Sequence, residues 1–313
     1  MLRFNPGSAV SMQRRTELQL VTMVAVAITI TTPYMILPRT TVQVSIGRLV
    51  LNIPIPYSIL GATLTAIAIA LELLPLAITE YRLWRINNEI LMETPTIIRI
   101  LRDGLSSGQS LSNVAEMLAR VGGGRLSRML IESIMKESMG ITTIKEDLTR
   151  ASRELGNDYL AMLAMILDTA IRSGARLQET LDMAYKSFED TVSYYLDRTN
   201  QVKPYLALIY VVMVIYVVLA GVIIYLMVPS ISKISLSTSV SGITTLVIPT
   251  INVQLFSSVI VIGGVIQSVI AGLIIGRIVY GKPTVGLMHA SILIMIITLI
   301  NYVMYVMTYL HII

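Results

Sequence analysis

Long apolar runs alternate with one large polar block along this chain. Residues 18–37, 58–78, 205–228, 255–275 and 287–310 are each apolar over a length that crosses a bilayer as a helix. Between the second and third runs, residues 80–203 mix charged and apolar positions. The apolar ones recur there at three- and four-residue steps, which marks one buried helix face. The pattern predicts an all-α polytopic membrane protein of five transmembrane helices, with a six-helix bundle inserted between helices 2 and 3. It divides the chain into an N-terminal membrane part (1–79, outer loop 38–57), a helical domain (80–203) and a C-terminal membrane part (204–313, outer loop 229–254).

Local signals place the six helices of the polar block. Thr94-Pro95 reads as a cap followed by proline at the first helical position, so the first helix is expected to start there. The second opens behind Ser110 and ends at Gly122-Gly123-Gly124. The third runs from Arg125 to Ser138 and stops at Gly140. Thr143 and Glu146 form a capping box for the fourth, Gly156-Asn157 ends it, and Asp158 is expected to cap the fifth. The sixth leaves Ala175-Arg176 and carries Phe188, Val192 and Tyr195 on its apolar face. In the outer loops, residues 41–46 and 49–53 around Gly47-Arg48 read as two short β runs. Residues 230–253, rich in Ser, Thr, Val and Ile, admit a second hairpin.

Charge then orients the chain. Only 14% of its residues are charged and 54% are hydrophobic, against about 25% charged in a soluble domain. With the N-terminus inside, 21 of the 24 basic residues fall on the cytoplasmic side and only Arg39, Arg48 and Lys233 fall outside. The expected location is therefore the cell membrane, multi-pass, with the polar block cytoplasmic and the C-terminus outside. The net charge of +5 reports this topology and not a nucleic-acid partner. The polar block holds 16 basic and 17 acidic residues, the mixed surface of a folded domain. Residues 1–16 are polar and do not read as a signal peptide.

Few residues suggest chemistry. Cysteine is absent, which removes disulfides, thiolate catalysis and Cys-ligated metals. Gly122-Gly123-Gly124 lacks the Gly-Lys-Ser/Thr ending of a phosphate-binding loop and reads as an interhelical turn. No such loop occurs anywhere in the chain, so any ATP hydrolysis must come from another protein. His289 and His311 are the only histidines, and no metal, cofactor or catalytic site is expected. Glu72 is the one acid deep in a span, either functional or bonded to a neighbouring helix near the boundary. Gly264, Ser268, Gly272 and Gly276 recur at steps of four, a helix-packing stripe that serves the fold or subunit association. Tyr205, Tyr302, Tyr305 and Tyr309 lie near span ends. Arg99, Arg102, Arg120, Arg125, Arg128, Arg172 and Arg176 form a solvated face, some at turns that a cytoplasmic partner can reach.

Two stretches repeat one grammar: a helix, Ser-Gly, a Leu three positions on, then a helix. Ser107-Gly108 with Leu111 answers Ser173-Gly174 with Leu177, and Gly140 marks a further turn. This order resembles the cytoplasmic domain of the type II secretion F family, the platform proteins of type IV pili, archaeal flagella and tight-adherence pili. The likeness spans about residues 95 to 230. A single such domain is similar to the tight-adherence and archaeal types, which carry one where full-length relatives carry two. Bacterial relatives often place a Glu before the second Ser-Gly, whereas Ile171-Arg172 precede Ser173 here, so no acid-dependent role carries over. The resemblance implies a non-enzymatic platform for filament assembly or type II secretion. Its implied partners are a hexameric secretion ATPase, pilin subunits, and a second copy or a paired paralogous subunit in the membrane. A transporter or channel subunit with a cytoplasmic regulatory domain is the alternative; it would need polar groups near the midplane beyond Glu72 and a few Ser, Thr and Gln residues. A receptor with the helical block as output domain is a further one.

Overall fold

The computed structural model describes residues 17, 20–29, 39–46, 49–121, 123–173, 176–227 and 252–309. In chain order these form helix α1 (Leu20–Thr29), strands β1 (Arg39–Ile46) and β2 (Leu49–Pro56), and helices α2 (Ile59–Ser106), α3 (Leu111–Val121), α4 (Arg125–Ser138), α5 (Ile144–Leu155) and α6 (Asp158–Ser173). Helix α7 (Leu177–Val222) then runs into a π-helical turn (Ile223–Met227). Helix α8 (Val253–Tyr280), a 3-10 turn (Pro283–Gly286) and helix α9 (Leu287–Tyr309) complete the fold. Four helical stretches are long and apolar enough to cross a membrane: Ile59–Ser106, Leu177–Met227, Val253–Tyr280 and Pro283–Met307. They contain four of the five expected spans. The first expected span lies partly outside the described residues, and its described portion is the shorter apolar helix α1. The loop at 230–253, Gly174, Gly122 and His311 also lie almost wholly outside them.

The chain separates into two compact units, one of residues 1–18 and 79–201, the other of 19–78 and 202–313. Helices α2 and α7 have residues in both. The polar unit owns a core. Ile90, Ile97, Ile98 and Leu101 of α2 pack with Leu118 of α3, Leu126, Leu130 and Ile134 of α4, Leu148 of α5, Leu160, Leu163 and Leu167 of α6, and Leu181 and Phe188 of α7. The four-residue steps in α4 and the seven-residue step in α7 show why: a helix repeating every 3.6 residues buries one such stripe. Gly108, Gly140 and Gly156 follow α3's predecessor, α4 and α5 with φ of 75°, 70° and 59°. Only glycine enters that left-handed region without strain, so the helices stop there.

Three sequence expectations are corrected in this unit. The first helix does not start at Pro95; α2 runs through it to Ser106. Leu91, Thr94, Ile97, Ile98 and Leu101 are all buried, so one apolar stripe continues across the proline. Packing offsets the hydrogen bond that Pro95 cannot donate. The Thr94 hydroxyl, free of any capping role, donates back to the Ile90 carbonyl at 2.7 Å. The cap of α6 is not Asp158 but Asn157, whose Oδ1 accepts from the Leu160 N–H at 3.0 Å. The capping box at α5 is only half formed. Thr143 Oγ1 accepts from the Glu146 N–H, but the Glu146 carboxylate takes the Thr142 hydroxyl instead.

In the membrane unit β1 and β2 pair antiparallel, Arg39 opposite Pro56 and Ile46 opposite Leu49. Ala62, Ala66 and Ala70 of α2, at steps of four, pack with Val261 and Val265 of α8 and Ile294 of α9. Met213 and Val217 of α7 pack with Leu293 and Ile297 of α9. The stripe of small residues on α8 faces inward. A Cβ on Gly264 would lie 2.9 Å from Ile297, one on Gly272 2.5 Å from Ala290, and one on Gly276 2.5 Å from the Pro283 carbonyl. Ser268 is buried and donates to the Gly264 carbonyl at 2.7 Å. These backbones approach closely because no side chain intervenes.

Candidate functional site

The arginines singled out from the sequence occupy different environments on the polar unit. Arg102 is held by Asp103 at 2.8 Å and Asp182 at 2.9 Å, and lies 5.6 Å above the Tyr185 ring. Hydrogen bonds to Asp103 and Asp182 push its pKa further up. Arg120 pairs with Glu116 and Arg172 with Asp168, each one turn back along its own helix. Asp168 also takes Lys145 from α5, and hydrogen bonds from Lys145 and then Arg172 hold its carboxyl below the ordinary range. The sign follows: that contribution to stability is present above the unfolded carboxylate range and is lost as pH falls through the lower folded value. Arg99, Arg128 and Arg176 are exposed and have no carboxylate partner among the described residues. The seven therefore do not form one patch of equivalent groups.

Arg125 departs most from the expected exposed turn. Its side chain is only 30% exposed, 3.5 Å from Glu89. Beside it, the triple-glycine segment does more than turn the chain. Glu93 of α2 accepts the Arg125 N–H at 2.9 Å and the Leu126 N–H at 2.8 Å. A carboxylate from an earlier helix thus satisfies the first turn of α4, whose own N-cap Gly124 offers no side chain. A Cβ on Gly124 would stand 2.2 Å from the Glu93 carboxyl carbon, while one on Gly123 would meet nothing within 4 Å. We expect Glu93→Ala and Gly124→Ala each to cost ~1–3 kcal/mol through loss of these charge-assisted bonds. Gly123→Ala should stay within about 0.5 kcal/mol. Urea denaturation of a fragment spanning 79–201 reads all three, and equal effects at Gly123 and Gly124 would refute the capping role. A fragment begun at Leu91 would be a poor vehicle. It lacks Ile86 and Ile90 of the core, and it lacks Asn87, which donates to the Leu155 carbonyl and accepts from Asn157.

Between α2 and α7 of the polar unit lies a groove lined by Met92, Pro95, Thr96, Arg99, Tyr185, Glu189, Val192 and Ser193. The Tyr185 hydroxyl donates to Glu189 at 2.8 Å, which raises the phenol's pKa, with burial adding to the effect. A second groove, between α4 and α5, holds Lys136 between Glu132 at 3.0 Å and Asp147 at 3.0 Å. Burial pulls the Lys136 ammonium down, but the hydrogen bonds to Glu132 and Asp147 outweigh it and leave the pKa raised. The charges of Lys136, Glu132 and Asp147 are thus satisfied within the domain.

Among the polar contacts of the membrane unit, three centre on Glu72, His289 and Asn301. Glu72 accepts a hydrogen bond from the Thr29 hydroxyl of α1, and its Oε2 is buried with no partner among the described residues. His289 joins Tyr210 through Nδ1 at 2.8 Å and Tyr280 through Nε2 at 2.9 Å, an interhelical bridge of α7, α8 and α9. Tyr225, in the π turn, and Ser257 both donate to Asn301 Oδ1, at 3.1 and 3.3 Å. Sequence reasoning passed over this cluster, although Asn301 is a lone amide in an apolar run and that was its signal. It also passed over Glu93, which carries none, because its targets are backbone groups 32 and 33 residues away. Among the described residues no three His, Cys, Asp or Glu side chains gather as a metal site.

A separately cored polar helical unit, with four membrane-length apolar helices in the same chain, defines a multi-pass helical membrane protein. Within it, residues 97–228 match the family model described as Type II secretion system (T2SS), protein F. The match covers most of the polar unit and continues along α7 through its π turn. Platform proteins of that family are non-enzymatic. No curated protein and no solved structure matches the chain.

Proposed function

We propose that this chain is a cytoplasmic-membrane platform for assembling type IV pilus-like filaments, pili or archaeal flagella, or for type II secretion. Its polar unit engages a cytoplasmic secretion ATPase, and its membrane unit receives pilin subunits. The carrying observation is that the protein F match covers most of the polar unit, a folded helical body with its own core. On this reading five spans cross the membrane, α1 belonging to the first, with the six-helix bundle between the second and third. The N-terminus is cytoplasmic and the C-terminus outside. The single domain implies a homodimer or a paired paralogous subunit. Both passages of the chain between the units, in α2 and α7, are helical, which suits the transfer of a push or rotation.

Two measurements test the proposal. Cysteines introduced by Gly47→Cys and Ser239→Cys should react with an impermeant thiol reagent on whole cells. Those from Gly123→Cys and Lys282→Cys should react only once the membrane is opened. Labelling at residue 123 on intact cells would overturn the topology and the platform role with it. The solubilised protein should also retain a secretion ATPase and pilins. Charge reversal at exposed Arg128 should weaken that retention in a salt-dependent way while leaving stability within about 0.5 kcal/mol. Reversal at Arg125 is unsuitable for this purpose, because it would set a carboxylate against Glu89 and Glu93.

A further inference from the structure

We propose that the groove between α2 and α7 of the polar unit is a docking site for a segment of a cytosolic protein bearing both an acidic and a basic side chain. The acid meets Arg99 and the base meets Glu189. This deepens the platform reading, on which a cytosolic partner of the polar unit rests, by naming a surface and the chemistry that fits it.

The lining residues sort by what they already do. Arg102, the other cation near this groove, is taken up by Asp103, Asp182 and the Tyr185 ring. Arg99 has no carboxylate partner among the described residues, and neither the Thr96 nor the Ser193 hydroxyl has a hydrogen bond there. One planar cation and two hydroxyl donors thus line a single groove unengaged. A guanidinium donates two parallel N–H bonds to a carboxylate, and hydroxyls can donate to the carboxylate's outer lone pairs. The same wall carries Glu189, which uses one oxygen for the Tyr185 hydroxyl.

That carboxylate decides the class of ligand. A phosphate dianion on Arg99 would share the groove with a like charge, at a cost in a partly enclosed site. A partner bringing both signs meets each with its complement, which fixes register and disfavours wrong partners. Met92, Pro95 and Val192 supply the apolar part of the lining.

The cysteine-free chain makes the test single-site. Thr96→Cys or Ser193→Cys in the full-length protein is labelled with benzophenone-4-maleimide in inverted membranes from the native host. The membranes are mixed with cytosol and irradiated. We expect an adduct with a protein other than this chain, whose cross-linked peptide carries both an acid and a base. Adduct yield should fall roughly tenfold with Arg99→Glu or Glu189→Lys. It should fall less with Arg99→Lys, which keeps the charge and loses the fork. Reversing the partner's acid should restore the yield to Arg99→Glu. Circular dichroism checks that each variant folds, and Arg99→Gln replaces Arg99→Glu if the reversal does not. A label at exposed Thr169, through Thr169→Cys, should give no such adduct. Adducts confined to lipid, to a second copy of this chain, or insensitive to the charges at 99 and 189 would overturn the groove assignment. A charge-sensitive adduct to a protein that is no ATPase would keep the groove and remove the ATPase reading; a charge-insensitive adduct to an ATPase would do the reverse.

Discussion

Gly286→Val should destabilise the detergent-solubilised protein by at least ~3 kcal/mol, the upper end for an overpacked interior. A Cβ at Gly286 would lie 1.9 Å from the Gly272 carbonyl oxygen and 2.6 Å from the Gly276 nitrogen. Both are backbone atoms, so no rotamer change relieves the clash and α8 must move away from the 3-10 turn. In a bilayer, helix pairs are held mainly by close packing and interhelical hydrogen bonds. Separation would forfeit the fit of Ala290 against Gly272 along with the turn. Gly263→Ala on α8 is the control. Its Cβ would meet only the Tyr216 hydroxyl, at 3.4 Å, and the change should stay within about 0.5 kcal/mol. Thermal unfolding and limited proteolysis of both variants measure the difference. Equal behaviour of the two would show that the α8–α9 crossing is not as close as described.

In the polar unit, Phe188→Ala in the 79–201 fragment should cost ~3–5 kcal/mol. Phe188 is 2% exposed and is the largest fully buried side chain among the described residues. It belongs to the one core that joins helices α2 to α7, and its ring lies 6.5 Å from that of Tyr159 in an edge-on arrangement at 63°. Truncation removes the transfer free energy of the ring and leaves a cavity that six helices must share. A domain of this size has about 5–15 kcal/mol of stability in all, so the variant should sit near its unfolding threshold at ambient temperature. Phe188→Leu should recover most of the loss. The urea midpoint of each fragment reads the effect, and a midpoint for Phe188→Ala within error of the parent would show that α7 does not close this core.

The amino-acid sequence by itself determined the features that depend on near neighbours. Apolar length marked the membrane-crossing helices, because a helix rises a fixed distance per residue whatever lies beside it. Glycine punctuation marked the ends at Gly108, Gly140 and Gly156, because a positive φ is a property of one residue and its backbone. The repeated Ser-Gly-to-Leu order pointed to the secretion F domain that residues 97–228 match. Tertiary structure decided what depends on distant partners. Thr94-Pro95 carries every local sign of a helix start, yet the buried stripe from Ile90 to Leu101 holds α2 together across it. Gly124 looked like turn chemistry and is kept small by Glu93, which caps a helix 32 residues on. Asn157 outcompeted Asp158 as a cap because its amide also reaches Asn87, 70 positions earlier. Arg102 has Asp103 beside it in the sequence, but only the tertiary structure brings Asp182 of α7 and the Tyr185 ring to it. Local propensities amount to tenths of a kcal/mol per residue. A buried stripe or a satisfied carboxylate amounts to one or more, so where the two disagreed the distant contact prevailed.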